Sequence, residues 1–154
     1  MSDLNKILDN LRRQCSRREY CTSDVLKKAE KALEGDKEKA MQVVATLVEE
    51  KYVDDLRYAS AYAREKSSIS GWGAVKIRYM LSAKGISRDL ISQALEEVDP
   101  QRADNRLVKL LENKYRTLKE DPQCKLKLLR FALGRGYSYD EVSGYIDALI
   151  KGDK

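Results

Sequence analysis

A unit of helix, tight turn and helix recurs along this chain, and it restricts the fold more than any other feature. Three residues suited to cap a helix stand behind similar turns: Asp54, Ser87 and Ser138. Four positions after each come Tyr58, Ile91 and Val142. Seven and eight after come Ala61 and Tyr62, Ala94 and Leu95, and Tyr145 and Ile146, which is the stripe of an amphipathic helix. Seven before lie Leu47, Met80 and Phe131, and ten before lie Val44, Ile77 and Leu128, so a second apolar stripe leads into every turn. Val53, Ile86 and Tyr137 directly precede the caps, where an apolar staple sits. Gly85 and Gly136 occupy the left-handed position that ends a helix; in the first turn that position falls to Lys51 or Tyr52, at a steric cost, or the turn differs. A weaker fourth copy, RRQCSRREYCTSDVLKKA, opens the chain, with Cys21 or Thr22 before a helix carrying Val25, Leu26 and Ala29.

Read this way, the chain is all-α. Helices are expected near 3–18, 23–33, 36–51, 54–67, 71–84, 88–97, 100–117, 122–134 and 139–150, the seventh opened by Asp99-Pro100. Grouped in threes they give modules over 1–52, 53–98 and 99–154. A unit of about 50 residues buries little surface alone. Three tandem three-helix repeats in an elongated, curved array are therefore expected, against a single globular bundle. With 2 Pro and 8 Gly in 154 residues, a turn-rich β architecture has little support.

Several kinds of chemistry lack their usual parts. The chain has no histidine, which removes the commonest general base and metal ligand. Its three cysteines, Cys15, Cys21 and Cys124, have no C-x-x-C spacing and read as reduced thiols. No phosphate-binding glycine loop and no nucleophile elbow is present. Asp54 and Asp55 stand at a helix start, where carboxylates cap free N–H groups and suit the helix dipole. No catalytic residue, metal ligand or cofactor is expected. No run approaches the roughly 20 apolar residues of a membrane span, and the first residues form no secretion signal, so a cytoplasmic protein is expected.

Charge is uneven. Lys and Arg number 30 against 25 Asp and Glu, a formal net charge of +5. Between Arg57 and Arg88 stand Arg57, Arg64, Lys66, Lys76, Arg78, Lys84 and Arg88, with Glu65 the only acid. Between Lys125 and Tyr137 stand Lys125, Lys127, Arg130 and Arg135 with none. Charge runs are usually solvated faces, but this bias suits an anionic partner. Within it lies SGWGAVKIRYMLSAKGIS, which holds the only Trp, Trp72. Ser70 or Gly71 is expected to cap the helix, and Gly73 to let a neighbouring backbone come close. Trp72 would orient the helix and turn Lys76, Tyr79 and Ala83 outward, away from Ile77, Met80 and Leu81.

Four segments, GWGAVKIRYMLSAKGIS, EEKYVDDLRYASAYAREK, RREYCTSDVLKKA and LLRFALGRGYSYDEV, together resemble the RecX family of bacterial recombination regulators. The resemblance runs in order along nearly the whole chain. Lys51, where the family often has Gly, and Cys21, where a Ser cap is common, depart from its pattern. The resemblance implies a non-enzymatic regulator that binds the RecA recombinase filament and mostly inhibits recombination, ATP hydrolysis and the co-protease activity of the SOS response to DNA damage, with single- or double-stranded DNA as a further contact. On the matched positions Arg57, Arg64, Lys76, Arg78, Lys84, Arg88, Arg130 and Arg135 are the expected contact charges, with Trp72 as an orienting residue. A monomer is expected. Two other readings stay open at this point: a helical repeat protein that binds DNA or RNA with no recombinase partner, and a protein-binding adaptor.

Overall fold

The computed structural model describes residues 3–152. Among them run nine helices: α1 (Asp3–Arg17), α2 (Thr22–Ala32), α3 (Lys37–Glu49), α4 (Asp55–Ser68), α5 (Ala74–Ala83), α6 (Arg88–Glu96), α7 (Pro100–Leu118), α8 (Cys124–Gly134) and α9 (Tyr139–Gly152). No strand occurs among the described residues, and no helix there is long and apolar enough to cross a membrane.

Helix starts follow from local chemistry. Asp36 accepts a hydrogen bond from the Lys39 N–H at 3.1 Å, and Asp54 accepts one from the Arg57 N–H at 3.1 Å. Asp99 accepts from Gln101 and Arg102 ahead of Pro100. Ser138 and Glu141 form a reciprocal box: the Ser138 Oγ accepts from the Glu141 N–H at 3.3 Å, and the Ser138 N–H donates to Glu141 Oε1 at 2.9 Å. Cys21 precedes α2 but makes no side-chain cap bond; the Thr22 N–H is satisfied instead by Asp55 Oδ1 at 2.7 Å. One carboxylate of the Asp54–Asp55 pair thus caps its own helix and the other caps α2.

Three helix ends share one geometry. Lys51, Gly85 and Gly136 have φ of 66°, 78° and 96°. After each, an N–H reaches back five residues: Tyr52 to Leu47, Ile86 to Leu81 and Tyr137 to Ala132, at 2.9, 3.3 and 3.2 Å. Aligned on these left-handed residues, the residues four before them, Leu47, Leu81 and Ala132, are all buried. The first turn carries one more residue before its cap than the other two. Counting back from the caps therefore puts Met80 in the core, whereas it is 37% exposed and Leu81 takes the buried place.

The chain packs as two compact units. One gathers the residues up to Ala61 with Leu81–Ala94. Here α1, α2 and α3 pack mutually around Leu11, Val25, Ala29, Val43 and Leu47. The other gathers Tyr62–Met80 and the residues from Leu95 onward. Its α7, α8 and α9 pack around Leu107, Leu111, Leu128, Ala132, Val142 and Ile146.

Candidate functional site

The GWG segment and the GRGY turn, far apart in sequence, lock together within the second unit. Three consecutive carbonyls before α5 each receive a side-chain donor from the last third of the chain. Arg106 Nε donates to Ile69 O at 3.0 Å, Arg135 Nη2 donates to Ser70 O, and the Tyr137 hydroxyl donates to Gly71 O at 3.0 Å. Two backbone bonds return: the Gly73 N–H donates to Arg135 O at 2.8 Å, and the Val75 N–H donates to Gly136 O at 3.0 Å. The first N–H groups of a helix and the last carbonyls of another normally lack partners. Here the C-terminal turn of α8 satisfies the N-terminus of α5, and the negative end of one dipole meets the positive end of the other.

Glycine is required on both sides of this clamp. A Cβ on Gly73 would lie 2.5 Å from the carbonyl carbon of Gly136 and 2.7 Å from the Tyr137 nitrogen. One on Gly136 would run into the Cβ of Lys76 and lie 2.7 Å from its nitrogen. The neighbour expected at Gly73 is thus the α8 turn. The expected cap is different: α5 begins at Ala74 rather than near residue 71, and carbonyls of Arg135 and Gly136, not Ser70 or Gly71, satisfy its start. Residues 70–73 are used as the docking loop. Burial pushes the Tyr137 phenol up to about 12, so its hydroxyl stays protonated and donating.

Trp72 rises from this loop, its N–H donating to Lys66 O at 2.8 Å. Two ammonium groups lie over the indole, Lys76 Nζ at 4.3 Å and Lys66 Nζ at 4.8 Å from the ring centroid. Lys66 also lies 5.5 Å from the ring of Tyr62, which meets Trp72 edge-on at 6.2 Å. The electron-rich faces of the indole attract both cations. Lys66 was missing from the sequence-predicted contact residues. Its signal was present in the spacing, since it precedes Trp72 by six residues on a helix ending at the loop.

The predicted charges have different settings. In the first unit, Arg57 Nε pairs with Glu19 at 2.6 Å while its Nη2 donates to Tyr52 O at 3.2 Å. Lys84 pairs with Asp24 at 2.8 Å, and its carbonyl accepts from the Ser23 hydroxyl at 2.6 Å. Hydrogen bonding to these carboxylates raises the pKa of Arg57 and of Lys84. Arg88 is exposed at the start of α6. In the second unit, Arg64 faces Glu97 at 3.7 Å, and Arg78 on α5 and Arg130 on α8 are exposed. Arg135 is engaged by the clamp and lies 6.0 Å from the Phe131 ring. The second unit thus brings Lys66, Lys76, Trp72 and Arg135 to one loop, with Arg78 on the helix it starts. Among the described residues, no group of three or more His, Cys, Asp or Glu is placed to hold a metal ion.

Comparison with known proteins fits this layout. Residues 54–95 match the second three-helix domain of RecX, and residues 103–146 match the third. The regulatory protein RecX of Clostridium perfringens (strain 13 / Type A) is 36% identical over 118 residues, covering 74% of this chain and 54% of that protein. That of Clostridium tetani is 31% identical over 116 residues, covering 73% of this chain and 53% of its own length. The chain therefore spans about half the length of the curated relatives it matches. Among solved structures, a regulatory protein RecX superposes with a TM-score of 0.80 at 23% identity, over 97% of this chain and 71% of the other. RecX from Lactobacillus salivarius superposes with a TM-score of 0.77, also at 23% identity, over 97% of this chain and 96% of the other. These two structures share the all-helical fold. With both family domains in order over more than half of its residues, the chain belongs to the RecX family of regulatory proteins.

Proposed function

We propose that this chain is a non-enzymatic regulator that binds the RecA recombinase filament and slows its ATP hydrolysis, strand exchange and SOS co-protease activity. In this reading the modules 1–52, 53–98 and 99–154 act as separate weak contacts, and the protein works in the cytoplasm as a monomer. Several contacts made by one folded chain raise its hold on a polymer well above that of each alone. A regulator changes a filament only by binding its assembled and free states differently. The observation that carries the reading, beside family membership, is the α5 surface. This helix has no acidic residue, bears Lys76 and Arg78, and is fastened at its start by five hydrogen bonds. Such a helix presents positive charge in a fixed direction, which speeds encounter with an anionic assembly and makes binding sensitive to salt.

The test is DNA-dependent ATP hydrolysis by the cognate recombinase as the chain is added below stoichiometric amounts. A progressive fall is the expected result, and unchanged turnover at every ratio would refute the proposal. A parallel titration of labelled single-stranded DNA, with and without recombinase and nucleotide, separates filament binding from simple DNA binding. Tight binding to bare DNA that recombinase leaves unaltered would favour a DNA-binding repeat protein instead.

A further inference from the structure

A cavity of about 340 Å³ opens beside the clamp, wholly within the second unit. That size is at the small end of the range for ligand pockets, about 300–1,000 Å³. Its deep walls are buried and largely apolar: Ile77 from α5, Leu107 from α7 and Tyr137 from the α8 turn. Trp72 and Val98 are half-buried further out, and Tyr145 of α9 is exposed at the edge. Two exposed carboxylates complete the rim, Asp104 on α7 and Glu141 on α9.

Among the described residues these two acids are the only charged side chains lining the cavity, in a chain whose net charge is +5. Asp104 makes no hydrogen bond or ion pair with the described residues. Glu141 uses Oε1 for the Ser138 N–H at 2.9 Å, which leaves its second oxygen for another donor. The basic side chains of the clamp are directed elsewhere. Arg106 and Arg135 donate to the Ile69 and Ser70 carbonyls, and Lys66 and Lys76 lie over the indole. None of these four lines the cavity.

We infer that this cavity binds a small organic cation, an amine whose aromatic or alkyl body covers the apolar walls while its ammonium meets Asp104 and Glu141. The walls favour an apolar body because covering them removes apolar surface from water. The rim sets the sign of the charge. An ammonium gains charge-assisted hydrogen bonds to the open carboxylate oxygens, a neutral ligand forgoes them, and an anion meets like charge. The site is separate from the α5 charges of the proposed function and does not depend on that reading. Gly73, Trp72 and Tyr137 belong both to the cavity and to the clamp. A ligand held here therefore ties the docking loop to the α8 turn and stabilises the folded unit by mass action.

The probe is 2-phenylethylamine, set against its neutral counterpart 2-phenylethanol and the anion phenylacetate. Each is titrated into the full chain at neutral pH, with binding read by calorimetry and by the emission of Trp72, the only tryptophan. The amine is expected to saturate with a Kd below about 1 mM. At about tenfold excess over Kd it is expected to raise the melting temperature by roughly 3–6 °C. The alcohol is expected to bind about tenfold more weakly, and phenylacetate not to bind. Asp104→Asn/Glu141→Gln keeps the shape of the rim and an acceptor for the Ser138 N–H but removes the charge. It is expected to lower the amine's affinity to that of the alcohol and to leave the alcohol's unchanged. Asp140→Asn, an exposed carboxylate outside the cavity, is expected to change neither. Ala103→Phe, which fills the cavity from α7, is expected to abolish binding of both. Circular dichroism checks that each variant folds, and the comparison of the three ligands on the intact chain decides even where a variant does not. No saturable binding of the amine, amine binding no tighter than that of the alcohol, or full amine affinity in the folded double variant overturns the inference and leaves the functional proposal standing.

Discussion

Replacing Gly73 by alanine isolates the clamp between the GWG loop and the α8 turn. Gly73 has no left-handed backbone to strain, so the effect comes from space alone. The added methyl would lie 2.5 Å from the Gly136 carbonyl carbon and 2.7 Å from the Tyr137 nitrogen. Both are backbone atoms, which cannot swing away as a side-chain tip does. The two segments must separate by about an ångström, which stretches the bonds from Gly73 N to Arg135 O and from Val75 N to Gly136 O. Overpacking typically costs about 1–3 kcal/mol, and a weakened hydrogen bond about 0.5–1.5 kcal/mol. Alanine's lower backbone entropy in the unfolded chain returns up to about 1 kcal/mol. The expected net loss is about 2–4 kcal/mol, which for a chain of this size lowers the melting temperature by roughly 5–15 °C. Circular dichroism follows the melt, and Trp72, being the only tryptophan, reports on the clamp by its fluorescence. Gly144→Ala is the matched control: it lies inside α9 with nothing near its would-be Cβ, so it is expected to stabilise by about 0.5–1 kcal/mol. A Gly73→Ala protein that melts with the parent and keeps its Trp72 emission would refute the clamp as a source of stability.

Other consequences follow from single residues. Lys51→Gly relieves a non-glycine residue at φ 66° and is expected to stabilise by about 1 kcal/mol, read as a rise in melting temperature of roughly 2–4 °C. Tyr137 has its phenol raised to about 12, so the folded state holds a proton the unfolded chain releases near pH 10. Its contribution is present in full below pH 10 and fades between pH 10 and 12. Alkaline absorbance titration should show one late-ionising tyrosine, absent in Tyr137→Phe, and an unchanged count would contradict this. Asp24 is pushed up by partial burial, but hydrogen bonds from Lys84 and Cys21 outweigh this and hold its carboxyl below the usual range. Its contribution is present above the ordinary carboxylate pKa and is lost as acid takes pH down through the lowered value. Acid unfolding of Asp24→Asn, which lacks that proton uptake, should be less steep than that of the parent; equal steepness would show the pair to be idle.

Legibility in the sequence tracked the reach of each interaction. The caps at Asp54, Ser87 and Ser138 act across three residues, and the left-handed residues at 51, 85 and 136 across five. The caps and the glycines at 85 and 136 were visible as residue types, whereas the first turn left Lys51 and Tyr52 open and only the structure places Lys51 at φ 66°. Met80 was misplaced because the first turn carries an extra residue, which shifts the register when counted from the caps. The cap of α5 was misread for a different reason. Ser70 has the right chemistry, but it stands four residues before α5, whose start is met by carbonyls from another part of the chain. Among the expected contact charges, Arg135 looked like Arg130 in the sequence. One engages a carbonyl 65 residues away, and the other is exposed on α8.

Periodicity, capping chemistry and glycine placement by themselves determined that this chain is helical and where its helices run, but not every buried face: in α4 Ala59 and Ala63 are buried rather than Tyr58 and Tyr62. Each of those choices is settled within about two helical turns, by backbone groups that need a nearby partner and apolar groups that leave water together. Tertiary structure alone decided that GWG meets GRGY, and that Arg57 and Lys84 answer to Glu19 and Asp24. Those pairings join residues 38 to 66 positions apart. Nothing local selects them, because only packing of the whole unit brings such distant groups within a few ångströms.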